Sequence, residues 1–152
     1  MRQRIYLDTS VIGGYLDKEF QEWSRKLFEE FRTGNKIAVI SDVTLDEIEN
    51  ARQEVRDLLN IIPEDSKEYV LNEEEAEDLA KAYLKEGAIT KKFYQDALHI
   101  AIATINKVDV LVSWNFKHIV NLDRIKKYNG VNLMHGYIIL EIRNPRETLN
   151  ET

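Results

Sequence analysis

The sequence predicts an α/β fold built around a mostly parallel sheet, and three observations carry that expectation. Three short runs, RIYL (4–7), KIAVI (36–40) and DVLV (109–112), are apolar through their middles instead of alternating, the pattern of strands covered on both faces. Segments with apolar residues at three- and four-residue steps lie between them. The 152 residues contain no internal repeat, no low-complexity segment and no Gly-, Pro- or Ser-rich linker, so they form a single domain (1–152) with room for a sizeable core. Strands alternating with helices pack as helices against the sheet faces, with right-handed crossovers.

Taken in order, the first strand leads into a short helix expected from Val11, with Asp8 a suitable cap. Residues 19–33 carry Phe20, Trp23, Leu27, Phe28 and Phe31 on one helical stripe. After the second strand, residues 43–60 form one or two helices through Leu45, Ile48, Val55, Leu58 and Leu59. Asn72 is then the expected cap of EEEAEDLAKAYLKEG, which has acids in its first turns and Gly87 past its end. The segment from Thr90 to Asn106 is apolar almost all round through ALHIAIATI and is a core helix. Late in the chain YIILEI (137–142) is an edge strand, followed by Pro145.

Composition narrows the function classes. Hydrophobic residues make up 43% and charged residues 32%, and no apolar run approaches the ~20 residues of a membrane span. The N-terminus MRQRIYLD lacks an apolar signal core, so a cytoplasmic protein without a membrane partner is expected. Zero cysteines and three histidines exclude disulfides and thiolate chemistry and leave little for structural zinc. A net charge of −6 argues against a surface coated in basic patches for nucleic acid. Acids gathered to hold divalent cations would reverse the local field, so the global charge does not exclude a nucleic-acid substrate.

In an open parallel sheet ligands bind beyond the carboxyl ends of the strands. The first strand ends LDTS, which places Asp8 at that edge. The second ends ISDVTLDEIE, with Glu47 in the first turns of the following helix. Asp96 lies inside the otherwise apolar FYQDALHIAIA, about two turns into a helix that returns antiparallel to the strands and so starts at the same edge. A lone carboxylate in such a stretch is costly unless paired or metal-bound, and Lys92, four residues earlier, is the one cation in helical reach. Each acid has a plainer role open to it: Asp8 as a cap, Glu47 on a solvated face, Asp96 paired with Lys92. His99, three residues after Asp96, echoes the carboxylate-x-x-His spacing of metal helices but occurs once and suits a packed histidine. Glu73–Asp78 is a solvated helix start, His135 carries no signal, and Trp23 and Trp114 suit core or interface positions better than base-stacking platforms.

The motifs IYLDTSVIGGYLD, SDVTLDEIE, DALHIAIA and LVSWNFKHI, in that order and spacing, resemble PIN-domain ribonucleases. The likeness is greatest to the toxins of virulence-associated (VapC-type) toxin–antitoxin modules, and it runs over essentially the whole chain. The resemblance implies a three-layer α/β/α sandwich with strand order 3-2-1-4-5 and Mg²⁺- or Mn²⁺-dependent cleavage of RNA. It also implies an antitoxin partner and a homodimer. Asp8, Glu47 and Asp96 match the three family acids and metal ligands, and Ser10 matches the hydroxyl residue that orients the site. This chain departs from the pattern where a fourth acid is usual: it has Asn115 and His118 at the two positions that acid takes. An asparagine can offer its carbonyl oxygen to a hard cation or its water, and His118 could contact phosphate or move a proton.

Three rival readings remain. A phosphatase using Asp8 as nucleophile would show Asp-x-Asp, and Ser10 stands in the second position. A receiver domain would need further acids beside Asp8. A catalytically inactive binding or regulatory module on the same fold is the main alternative, the missing fourth acid being its motive.

Overall fold

A computed structural model describes residues 1–149. Five strands form one sheet: β1 (Gln3–Leu7), β2 (Lys36–Ser41), β3 (Lys67–Val70), β4 (Val110–Val112) and β5 (Ile142–Arg143). The order is β3-β2-β1-β4-β5 and every pairing is parallel. Eight helices accompany them: α1 (Thr9–Gly14), α2 (Gln21–Arg32), α3 (Asp42–Glu49), α4 (Gln53–Arg56), α5 (Glu74–Lys85), α6 (Tyr94–Ile105), α7 (Leu122–Met134) and α8 (Pro145–Leu149). The expected strand order is the one found.

The two-residue pleat sorts the central strand into two cores. Ile5 and Leu7 pack with Ala38, Ile40, Val110 and Val112 against Leu27, Phe28 and Phe31 of α2. Tyr6 faces the other way, with Val39 and Leu111, against α5 and α6. Helices thus cover both faces, which makes three layers. Burying each large side chain of the α2 stripe contributes about 1.5–3 kcal/mol, so the stripe is ample reason for α2 to form. Asp8, Ser41 and Ser113 continue the Tyr6 face of β1, β2 and β4 at their carboxyl ends, which delivers polar groups to one edge.

Several boundaries differ from the sequence expectations. Asn72 does not cap α5: Glu73 holds that place, and the Asn72 N–H donates to Asp42 Oδ1 at 2.9 Å. The helix expected from Thr90 begins with a 3₁₀ turn at Lys91–Phe93 and becomes α-helical only at Tyr94, so Asp96 stands in the first turn of α6, not two turns in. The 43–60 segment breaks after α3 and ends as a 3₁₀ stretch, Asp57–Ile61. The edge strand is Ile142–Arg143, while Ile138 and Ile139 are exposed. Its expected earlier residues leave the ladder because the Asn129 side chain takes both polar groups of Leu140, donating to its carbonyl at 3.1 Å and accepting its N–H at 2.7 Å. β3 and α7 are among the elements that carried no expectation. β3 is a half-exposed edge strand, KEYV, with one apolar residue facing the core. α7 packs Ile125, Tyr128 and Val131 on the core, but Gly130 and two buried or half-buried asparagines interrupt that stripe.

Candidate active site

Asp8 directly follows β1 at the N-cap position of α1, yet its side chain caps nothing. It is 6% exposed. Its Oδ2 accepts from two serines, Ser10 Oγ at 2.6 Å and Ser113 Oγ at 2.8 Å. Ser10 Oγ in turn accepts from the Trp114 backbone N–H at 2.9 Å. The loop after β4 is therefore tied to the loop after β1 through one hydroxyl. Ser10, expected to orient the site, thus donates to Asp8; Ser113 does the same and carried no sequence signal beyond following a strand.

Glu47, in the second turn of α3, accepts from Thr9 Oγ1 at 3.1 Å and forms a very short contact with His99 Nε2. His99 is buried in α6, and its Nε2 also stands 3.8 Å from Asp8 Oδ1. Its other ring nitrogen meets the Tyr6 hydroxyl at 2.6 Å. Tyr6 Oη bonds Ser41 Oγ at 2.7 Å, Ser41 bonds Thr44 Oγ1 at 3.2 Å, and Thr44 reaches the Leu7 carbonyl at 3.3 Å. Burial opposes a charge on His99, but the Glu47 hydrogen bond and the fields of Asp8, Glu47 and Asp96 raise its pKa overall. For Glu47 burial likewise favours the neutral form, and the His99 bond and charge overcome it, so its pKa is lowered. Both directions favour the charged imidazole–carboxylate pair. His99 is packed, as its apolar helix suggested, and a buried histidine must find polar partners; here they are Tyr6 and Glu47.

Asp96 has no Lys or Arg partner among the described residues, so the pairing with Lys92 is not made. Its carboxyl is pushed up to about 6, first by burial and then by Asp8, with Glu47 adding to the effect and His99 and Asn115 opposing it. Asn115 Nδ2 donates to Asp96 Oδ2 at 3.3 Å. The carbonyl oxygen expected to face a cation is engaged elsewhere: Asn115 Oδ1 accepts from the Lys117 and His118 backbone N–H groups at 3.2 and 3.0 Å. Asn115 is thus a turn cap and a neighbour of the acids at once. His118 is 7% exposed and stacked on Phe93 at 3.6 Å. Burial and the nearby Lys117, Arg124 and Lys92 lower its pKa, and its Nδ1 has no hydrogen-bond partner among the described residues. No hydrogen bond or ion pair joins its ring to the three acids among those residues.

Whether a hard divalent cation suits this site turns on donors and spacing. Carboxylate oxygens are the ligands Mg²⁺ and Mn²⁺ take, and the fields of Asp8 and Glu47, which add to burial in raising the Asp96 pKa, are ones a cation would relieve. Among the described residues, however, no three such groups are gathered closely enough to share one ion as they stand. The His99 ring separates Glu47 from Asp8. The donor set fits in kind, and coordination of one ion by all three acids requires their side chains to come closer than they stand.

No family model and no curated sequence matches the chain. Solved structures do. VapBC2 from Rickettsia felis, bound to a DNA fragment from their promoter, aligns over 92% of this chain and 98% of that one, with a TM-score of 0.60 at 17% identity. VapC20 of Mycobacterium tuberculosis, a sarcin–ricin-loop-cleaving toxin, covers 90% and 98% at TM-score 0.58 and 10% identity. FitAcB from Neisseria gonorrhoeae covers 93% and 98% at TM-score 0.58 and 12% identity. The chain has a PIN-like fold. At these identities the likeness is one of fold, and a PIN-like architecture accounts for the strand order. No helix among the described residues is long and apolar enough to cross a membrane.

Proposed function

We propose that this chain is a Mg²⁺- or Mn²⁺-dependent endoribonuclease, the toxin of a toxin–antitoxin pair acting in the cytoplasm. The observation that carries the reading is the placement of Asp8, Glu47 and Asp96 at one sheet edge with no Lys or Arg paired to any of them among the described residues, where burial first and the neighbouring acids second lift Asp96 to about 6. Divalent cations held there would supply an activated water and neutralise charge developing on the phosphate oxygens. Ser10 and Ser113 hold Asp8 in place, Asn115 holds Asp96, and His99 holds Glu47. The sarcin–ricin-loop-cleaving activity of the VapC20 neighbour supports RNA as the substrate class, and the VapBC2 neighbour supports a small antitoxin as partner. Self-association into a homodimer rests on the sequence resemblance.

The test is cleavage of RNA by purified protein with Mg²⁺ or Mn²⁺, repeated with EDTA and with Asp8→Asn and Asp96→Asn. Loss of cleavage in all three, with folding retained, is expected. Parental rates in either variant, or cleavage indifferent to EDTA, would refute the assignment. Thermal melts separate this reading from an inactive module: metal at about a hundred times its dissociation constant stabilises the nuclease by ~2.7 kcal/mol, and an inactive module shows no shift.

A further inference from the structure

A pocket of about 360 Å³ opens beside the acids, lined by Ser10, Gly13, Gly14, Asp17, Phe20, Trp114 and Asn115. It is continuous with the site, because Ser10 bonds Asp8 and Asn115 bonds Asp96. Its wall is a preassembled aromatic pair. Phe20 stacks on Trp114 with centroids 4.5 Å apart and planes 20° from parallel, and Trp114 Nε1 is anchored to Ser24 Oγ at 2.9 Å. The two glycines of α1 differ in a telling way. A Cβ on Gly14 would lie 2.7 Å from Ser24 Oγ and 2.8 Å from Trp114 Nε1, so packing explains that glycine. A Cβ on Gly13 would meet nothing within 4 Å, and its backbone is not left-handed. Neither packing nor backbone conformation explains Gly13, and a helical glycine is unfavourable relative to other residues. Bare backbone facing a pocket lets a ligand approach closely. Asp17 shares the lining; its Oδ1 accepts from the Glu19 N–H at 2.8 Å, and no Lys or Arg pairs with the carboxylate among the described residues.

We propose that this pocket receives one unpaired base of the RNA strand, next to the phosphate held at the acids. The base lies over Gly13, packs on Phe20 with Trp114 behind it, and presents an N–H edge to Asp17. Aromatic platforms bind bases of any sequence through their faces, and a carboxylate accepts only from bases with N–H donors on the exposed edge. A duplex keeps its bases stacked and paired, so the site selects single strands. This inference rests on the nuclease reading for its substrate, and its test is separable from that reading.

Binding of a short fluorescein-labelled single-stranded RNA and of its duplex is measured by anisotropy in EDTA, in an Asp96→Asn background. Gly13→Leu and Phe20→Ala are each added to that background. The single strand should bind more tightly than the duplex, and each added change should weaken it roughly 5- to 140-fold. Gly13→Leu should leave the melting temperature unchanged or higher; Phe20→Ala serves if it does not. Unchanged affinity in both variants, equal affinity for duplex, or no RNA binding at all overturns the subsite, including the case of a peptide occupant. If the unmodified chain never cleaves with Mn²⁺ while Gly13→Leu still abolishes single-strand binding, the nuclease reading fails and the subsite stands.

Discussion

Asn115→Ala removes two different interactions at once, and they can be read separately. The side-chain oxygen caps the turn after β4 through the Lys117 and His118 N–H groups. Losing a cap of this kind costs about 1 kcal/mol. The amide also donates to Asp96 at 3.3 Å, a long bond to a half-buried group, whose loss adds ~0.5 kcal/mol. The sum of ~1.5 kcal/mol corresponds to a fall of about 3–6 °C in melting temperature for a chain of this size. The same change removes one of the influences that hold the Asp96 pKa down, so Asp96 titrates at higher pH and cleavage near neutrality falls, by ~10- to 100-fold if Asn115 acts as a supporting group at a metal site. Melts in EDTA and initial cleavage rates with Mn²⁺ measure the two effects. Asn115→Asp keeps an acceptor for the turn, so it should retain stability far better than alanine while placing a further negative charge beside Asp96. Two results would break this reasoning. An unchanged melting temperature in Asn115→Ala means the turn is not held by that oxygen. A lowered melting temperature with parental cleavage means Asn115 is a cap alone, and His118 becomes the residue to test.

Three further outcomes follow from the same geometry. The Asp96 pKa of about 6 in the fold exceeds the ordinary ~3.9, so its contribution to stability is complete below about pH 4 and is lost as pH rises through 6; the melting temperature of metal-free protein minus that of Asp96→Asn should fall across this window, and a flat difference would contradict it. Gly14→Ala should destabilise by about 1–3 kcal/mol through collision with Ser24 and Trp114, whereas Gly13→Ala should stabilise by ~0.8–1 kcal/mol; denaturant titration of the pair gives the comparison. Replacing His99 with leucine removes one hydrogen-bond partner each from the Tyr6 hydroxyl and Glu47 and should cost about 1–3 kcal/mol, seen as a lower urea midpoint with an unchanged slope.

The sheet and the acids were legible because their signals are local. Apolar runs such as KIAVI announce buried strands, and Asp8 needs only to follow one. Glu47 and Asp96 were found by asking which helix ends share an edge, which topology answers without side-chain detail. What escaped the sequence depends on partners remote in the chain. His99 is readable as a packed residue, but its partners Tyr6 and Glu47 are not, and Ser113 is one serine among several until its hydroxyl is seen on Asp8. Asn72 is a good cap by type, but Asp42, thirty residues earlier, takes its N–H. KEYV is too short and too polar to announce β3, because an edge strand buries so little.

The position of β1 at the centre of the sheet has a consequence for how the chain is made. β1 is the first strand synthesised, yet one of its flanks pairs with β4, beginning at Val110, and its terminal acid is held by Ser113, 105 residues downstream. At ~5–20 residues per second, a ribosome leaves that flank open for roughly 5–20 s. During that interval the nascent chain exposes a raw apolar strand edge, the surface on which strands of different chains stick together. It also carries Asp8 and Glu47 without α6 or the β4 loop to arrange them, so a nuclease active on RNA would stay inert while still tethered to the ribosome. The proposed site is complete only when the last strands close.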